Sequence, residues 1–313
     1  MTMDLAAAIR VEKLSRRFGD RIAVAELSFD VKRGELFGLV GPDGAGKTTT
    51  LRMLAGVLRP SGGDAHLAGA SVRHNPEQVK RTIAYMSQRF GLYADLTVRE
   101  NLEFYADLYC VPRAERPARL ERLFHFSNLR EFQNRLAGQL SGGMKQKLGL
   151  SCALVHQPEI LLLDEPTFGV DPISRRDLWL IVHEMVAEGV TAIVSTAYLD
   201  EAERFDRLAL IHQGRVLAID TPGALQESLA GELLSVRLEN ARGALAVVQQ
   251  VPSVRRAAVF GDRLHLTVTS VERDLGPIRV ALVESGYPVL DAGPLTPSLE
   301  DVFIDRVSSV EQP

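Results

Sequence analysis

One eight-residue stretch limits this chain more than any other: Gly41-Pro42-Asp43-Gly44-Ala45-Gly46-Lys47-Thr48, set directly after the apolar run Leu36-Phe37-Gly38-Leu39-Val40. A short run without polar alternation fits a central strand buried on both faces. The residues after the loop, Thr49–Leu58, read as a helix stopped by Pro60-Ser61-Gly62-Gly63. Glycine is needed between such a strand and helix. Gly44 and Gly46 let backbone amides turn inward and approach an anion with no Cβ in the way. The helix starting near Lys47 adds the positive end of its dipole. The bland alternative is a Gly-rich turn with no ligand. The pattern Gly-x-x-x-x-Gly-Lys-Thr in this setting favours a polyphosphate cradle, with Lys47 reaching the β- and γ-phosphates and the Thr48 hydroxyl on Mg²⁺.

A second apolar run, Ile160-Leu161-Leu162-Leu163, ends in Asp164-Glu165-Pro166-Thr167. The carboxyl end of a strand in an open α/β sheet is where ligands bind. Asp164 is expected to hold Mg²⁺, directly or through water, and Glu165 to polarise an attacking water as general base. Acids after strands are also common turn residues; the phosphate loop upstream gives this pair its meaning.

Composition sets the limits. The chain has 313 residues, enough for about two domains. It carries 36 Lys and Arg against 40 Asp and Glu, a formal charge of −4, a poor balance for a dedicated nucleic-acid binder. The only cysteines are Cys110 and Cys152, which excludes a disulfide scaffold and a Cys-rich zinc site and suits a reducing compartment. No window nears the roughly 18 to 20 apolar residues that span a bilayer. The opening Met1-Thr2-Met3-Asp4-Leu5-Ala6-Ala7-Ala8 has an acid where a signal peptide has base. A cytosolic chain is expected, reaching a membrane only through a partner.

The rhythm of elements points to an α/β fold with a parallel sheet. Strands are expected at Ile9–Leu14, Ile22–Ala25, Leu27–Val31, Leu36–Val40, Ile160–Leu163, Thr191–Val194 and Leu208–Ile211. Helical periodicity runs over Ser174–Glu188 and Leu199–Arg204. The stretch from about Asp95 to Val155 is helical throughout and looks like an insertion. The first domain is expected to end near Thr221-Pro222-Gly223. Beyond it come a strand at Leu233–Leu238, a helix at Ala244–Gln250, a hairpin of Ala257–Phe260 and Leu264–Val268, a helix at Asp274–Glu284 and a strand at Tyr287–Leu290. That order suggests a small split-βαβ sandwich. Asp262, Glu272, Arg273 and Asp274 read as its solvated face.

With Leu140-Ser141-Gly142-Gly143-Met144-Lys145-Gln146 the chain resembles the nucleotide-binding subunit of an ATP-binding cassette (ABC) transporter, over about residues 9 to 220. This heptad is similar to the family's signature motif and precedes the Asp-Glu strand as in the family. The resemblance implies a P-loop ATPase domain over residues 1–222, with a helical subdomain over about 89–158. It implies an ATP site formed by Phe18, which stacks on adenine, by Gly41 through Thr49, and by Gln88. Gln88, with Thr48 and Asp164, is implied on Mg²⁺ and at the membrane partner. Ser141, Gly142, Gly143 and Met144 are implied to close on the ATP of an opposite subunit, and Gly169-Val170-Asp171-Pro172 to touch that subunit. Two such subunits sandwich two ATP molecules head to tail and push on separate membrane permease subunits, through the Gln88 loop and Arg89–Leu102.

Residues 223–313 resemble the small α+β domain appended to ATPase subunits of ABC-2-type exporters, on the strength of Pro297-Ser298-Leu299-Glu300-Asp301-Val302-Phe303-Ile304. The expected role is therefore ATP hydrolysis driving solute efflux, on the inner face of the cell membrane. One position departs from the family. Ala197, in Ser195-Thr196-Ala197-Tyr198, stands where the family has a histidine, and His183 and His212 are no substitutes by position. Alanine cannot donate a hydrogen bond to a γ-phosphate, and loss of one such contact lowers rate by about 10² to 10³. Two alternatives therefore stay open: a hydrolysis-weak partner in an asymmetric pair, and a soluble cassette ATPase acting on ribosomes or DNA. Against the last, the chain is acidic and carries neither a second cassette nor a long coiled coil.

Overall fold

The computed structural model describes residues 7–88 and 91–311. The expectations drawn from the first six residues and from Arg89 lie outside the described residues. The chain divides into two compact units, Met1–Ile219 and Asp220–Pro313.

In the first unit a six-stranded sheet runs edge to edge as β10 (Arg215–Asp220), β9 (Arg207–His212), β3 (Leu36–Val40), β8 (Thr191–Thr196), β7 (Ile160–Asp164) and β6 (Ile83–Met86). The pairs β9–β3, β3–β8, β8–β7 and β7–β6 are parallel. Every residue of β3, β7 and β8 is buried, as unbroken apolar runs imply. A second, antiparallel sheet orders β2 (Arg21–Lys32), β1 (Ala7–Phe18), β4 (Gly62–Leu67) and β5 (Ala70–Ser71). Between the sheets lies α1 (Lys47–Leu54), and Ile9, Leu27, Phe37, Leu39, Leu51 and Leu54 share one core there. Each such side chain contributes about 1.5–3 kcal/mol by burial, so the helix that follows the glycine-rich loop is pinned from both sides.

Several expected boundaries shift. The two strands expected at Ile22–Ala25 and Leu27–Val31 are one strand, bulged at Glu26, which adopts φ +53°. The helix expected over Thr49–Leu58 is α1, which begins at Lys47 and stops early: Gly56 takes φ +65°, and the Val57 and Leu58 amides both return to the Arg52 carbonyl. Four elements were not expected here: β4, β5, β6 and β10, with the short helix α2 (Pro76–Thr82) leading into β6. The insertion contains α3 (Val98–Leu108), α4 (Arg116–Ser127) and α5 (Gly142–Leu154). A reciprocal cap between Thr97 and Glu100 starts α3. Next come α6 (Pro172–Ala187) and a 3₁₀ turn at Leu199–Arg204. None of the described helices is long and apolar enough to cross a membrane.

The second unit contains α7 (Pro222–Glu227), β11 (Glu232–Leu238), α8 (Ala241–Val248), β12 (Val254–Phe260), β13 (Arg263–Val268), α9 (Val271–Glu284), β14 (Val289–Leu295) and α10 (Leu299–Glu311). Its sheet order is β12-β13-β11-β14, every pair antiparallel. This is the split-βαβ sandwich. Leu234, Val236, Leu264, Leu266, Ile278 and Leu282 form its core. Asp274 does not belong to a solvated face. It is buried, and its Oδ2 accepts from the Thr269 and Ser270 amides, which starts α9 three residues before the expected Asp274. The last helix, α10, was not expected either. Ser298 Oγ accepts from the Asp301 amide and donates to Asp301 Oδ2, a Ser-x-x-Asp start signal that the sequence does carry.

Candidate active site

The loop after β3 closes on the first turn of α1. Gly46 caps that helix at φ +104°, and a Cβ there would lie 2.6 Å from the Ala23 carbonyl oxygen. Only glycine satisfies both the dihedral and the close approach. The Lys47 side chain is buried. Its Nζ donates to the carbonyl oxygens of Gly41 (2.7 Å) and Pro42 (3.1 Å) and lies 3.1 Å from Glu165 Oε1.

Above the loop opens a cavity of ≈ 550 Å³. Of the residues singled out by sequence, Phe18, Asp43, Gly44, Ala45, Gly46, Lys47, Thr48, Thr49, Gln88 and Glu165 line it. Arg21, Ala23 and Phe168 line it as well and were not singled out. Gly41 and Pro42 act beneath it, through the carbonyls that hold Lys47. Phe18 is 47% exposed and Phe168 54%, so two partly exposed aromatic rings border the cavity.

The acids stand at the carboxyl end of β7. Asp164 is 1% exposed, and each oxygen has a donor. Oδ1 accepts from Thr48 Oγ1 and Ser195 Oγ, both at 2.9 Å, and Oδ2 accepts from the Tyr85 hydroxyl at 3.3 Å. Burial, and then the Asp164 charge, push the Tyr85 hydroxyl up to about 12, so it stays a neutral donor. Neither Ser195 nor Tyr85 was anticipated as an Asp164 partner. The sheet register carries that information: Ser195 pairs with Asp164 across β8–β7, and Tyr85 lies on β6 beside β7.

Glu165 sits at φ +50°, a left-handed conformation that a non-glycine residue adopts only when its surroundings insist. Here its amide is held by the Ser195 carbonyl oxygen (3.2 Å) and Oγ (3.1 Å). The turn aims the carboxylate back over the loop. Oε1 faces Lys47, and Oε2 accepts from Gln88 Nε2 at 3.1 Å. The geometry therefore brings a buried ammonium, a hydroxyl beside a carboxylate, and a second carboxylate to one cavity.

Ala197 follows β8, and its flanks are firmly held. Thr196 Oγ1 donates to Glu201 Oε2 (2.7 Å) and accepts from the Tyr198 amide (3.0 Å). The buried Glu201 also accepts from Thr167 Oγ1 (3.1 Å) and Trp179 Nε1 (3.2 Å). His183 lies on α6 with its ring 6.0 Å from that of Trp179.

Residues Ser141–Met144 are not among those that line this cavity. Ser141 caps α5 and accepts from the Met144 amide at 3.3 Å. Gly142 faces open space, whereas a Cβ on Gly143 would collide with the Ser174 side chain. Behind them Asp171 caps α6, accepting from the amides of Ile173 (3.1 Å) and Ser174 (3.0 Å). Those bonds, Ser174 first, hold its carboxyl below the usual range. The exposed start of α5 is thus a second set of outward amides, backed by the loop before α6.

The model of the "ABC transporter" family matches residues 24–168. The chain is 45% identical over 303 residues to the "Probable multidrug ABC transporter ATP-binding protein YbhF" of Escherichia coli (strain K12), covering 96% of this chain and 52% of that protein. It therefore spans about half the length of that relative. It is 35% identical over 302 residues to the "Daunorubicin resistance ATP-binding protein DrrA2" of Streptomyces coeruleorubidus, covering 95% of this chain and 94% of that one. Among solved structures, one described as "Structure of ATP binding subunit of ABC transporter" superposes with a TM-score of 0.65 at 32% identity, covering 70% of this chain and 92% of that one. Similarity of this extent along nearly the whole of a relative, on the same fold, means that the chain belongs to the ABC transporter family, among its ATP-binding proteins.

Proposed function

We propose that this chain binds ATP with Mg²⁺ and hydrolyses it to ADP and phosphate, as one of two ATP-binding subunits that drive solute export through separate membrane subunits. The observation that carries the reading is that Lys47, Thr48 and Glu165 line one cavity, with Lys47 against Glu165 and the buried Asp164 bonded to Thr48 behind it. Lys47 turns from Glu165 and the loop carbonyls to the β- and γ-phosphates. The Gly44–Gly46 amides and the start of α1 take the remaining phosphate charge. Phe18 stacks on the base. Thr48 and Asp164 offer adjacent hard oxygen donors, the set that Mg²⁺ prefers; Gln88 lines the same cavity as Thr48, bonded to Glu165, and is assigned to join them. Held by Thr48 and Asp164, Mg²⁺ would supply positive charge against the phosphates. Glu165, once released by Lys47, accepts the proton of the attacking water.

Ser141–Met144 serve the ATP of the second subunit, and Gly169–Pro172 touch that subunit. The Gln88 loop and the helical insertion, about 89–158, meet the membrane partner at the inner face of the cell membrane. Residues 1–222 are the ATPase domain and 223–313 an accessory domain. The names of the relatives, multidrug and daunorubicin resistance, support export over a soluble role on ribosomes or DNA. Ala197 favours a second version of the same reading, in which this chain's own site turns over slowly and its signature segment completes a competent site on a different subunit. The test is Mg²⁺-dependent ATP binding and single-turnover hydrolysis by the full chain and by Lys47→Ala. Binding lost in Lys47→Ala supports the reading; a parent without Mg²⁺-dependent binding ends it.

A further inference from the structure

Phe18 is close to half exposed at the end of β1, and a lone ring at a strand end has little to fix its rotamer. Its environment is not symmetric. The guanidinium carbon of Arg16 lies 4.6 Å from the centroid of the ring, stacked over one face. Arg16 NH1 donates to the Arg59 carbonyl oxygen at 2.8 Å. Its Nε is buried with no hydrogen-bond partner among the described residues, the condition of a guanidinium flattened against a ring. Phe18 lines the ≈ 550 Å³ cavity, and Arg16 is not among the residues that do. The cation thus covers part of the ring without itself lining the cavity, while the ring stays 47% exposed.

Arg59 belongs to the turn that follows α1. In the same turn the Ser61 amide donates to the Ser15 carbonyl oxygen (2.8 Å), and Ser61 Oγ accepts from the Arg17 amide (3.1 Å). The strand end that carries Phe18 is thus fastened at three points to the segment leaving the helix that starts at Lys47.

We propose that Arg16 is a positioning residue for the base of the nucleotide: it clamps Phe18 from behind, so that the adenine meets a ring already held flat and at a set distance from the phosphate grip. The inference rests on the ATP reading above. A guanidinium stacks on aromatic planes and attracts the ring face, and a ring fixed before binding loses less freedom on binding. Among the described residues Arg16 meets the Phe18 ring and the Arg59 carbonyl oxygen and does not line the cavity, so its effect on binding should run through the base and leave the phosphates alone.

Two ligands separate these roles: ATP, and inorganic tripolyphosphate, which has no base. Both are titrated with Mg²⁺ against the full chain, Arg16→Ala, Arg16→Met, Phe18→Ala and the Arg16→Ala/Phe18→Ala pair. Removing the clamp is expected to weaken ATP about three- to tenfold and leave tripolyphosphate unchanged. Arg16→Met, which keeps the packed stem, should match Arg16→Ala. Phe18→Ala should weaken ATP at least as much, and the double variant no further than Phe18→Ala alone. Equal loss for both ligands, unchanged ATP affinity in Arg16→Ala, or independent addition in the double variant each overturns the proposal while leaving the ATP reading intact. A parent that binds neither ligand overturns both.

Discussion

The Lys47 ammonium and the Glu165 carboxylate face each other at 3.1 Å across the mouth of the phosphate loop, with side chains only 3% and 11% exposed. Each is the other's main charge partner, and a pair withdrawn from water to this degree tolerates poorly the loss of one member. Lys47→Ala is expected to lower stability by about 1–3 kcal/mol, below the roughly 3–5 kcal/mol of a fully buried pair because Glu165 borders a cavity. Adding Glu165→Gln to Lys47→Ala should recover part of that loss. A thermal melt in which the double variant is as unstable as the sum of the singles would argue against coupling.

That same contact gives nucleotide binding a consequence for catalysis. An anion that draws Lys47 away leaves Glu165, among the described residues, with the Gln88 amide, free to accept a proton. Glu165→Gln should therefore bind ATP as well as the parent or better, while single-turnover hydrolysis falls by about 10² to 10⁴. Weakened binding with an unchanged rate would remove Glu165 from the role of base.

Ala197 gives the opposite sign. Thr196 and Tyr198 on either side are held through Thr196 Oγ1, so a longer side chain at 197 can be introduced on a fixed frame. Ala197→His is expected to raise single-turnover hydrolysis by up to about 10² to 10³. The signal is the rate at saturating ATP, because a histidine that acts on the developing charge changes kcat more than KM. Fast parent turnover with no gain would mean that this position does not limit the site.

The two signature glycines separate packing from function. A Cβ on Gly143 collides with Ser174 at the start of α6, whereas one on Gly142 meets nothing within 4 Å. Gly143→Ala is expected to destabilise by about 1–3 kcal/mol through overpacking, whereas Gly142→Ala should be neutral or stabilise by up to about 1 kcal/mol. Denaturant midpoints for both variants check this; equal shifts would mean that α5 and α6 part freely.

What was legible in the sequence was local. The phosphate loop, the Asp164-Glu165 strand end and the Ser141 helix start each occupy a few consecutive residues, whose backbone needs restrict residue type. What was not legible depends on distant pairing. Ser195 reaches Asp164 because β8 pairs beside β7, and Tyr85 because β6 flanks the other side; nothing near either residue announces this. β4 derives its identity from β1, and the two-residue β5 from β4, and a bulge at Glu26 hides one strand inside an apparent pair. Asp274 looks like any surface acid until the chain turns back and offers it two amides.

The second unit carries its own pH dependence. Asp301 is buried beneath the first turn of α10, which pushes its pKa up. Donation from His265 Nδ1 (2.7 Å) and from the Ser298 hydroxyl and amide outweighs this and leaves the carboxyl below its ordinary value of 3.8. A carboxyl whose pKa is lower folded than unfolded binds fewer protons in the native state. Its stabilising contribution is complete above the unfolded value, about 3.9, and is lost as pH falls through the lower, folded one. Between pH 6 and pH 4 the amides of β13 and α10 should therefore keep their protection against hydrogen exchange, and lose it on further acidification. Asp301→Asn removes the titration and should reduce that protection already at pH 6, with a flatter dependence on acid. If the parent and Asp301→Asn instead lose protection in parallel from pH 6 downward, the His265–Asp301 contact does not hold α10 to the sheet.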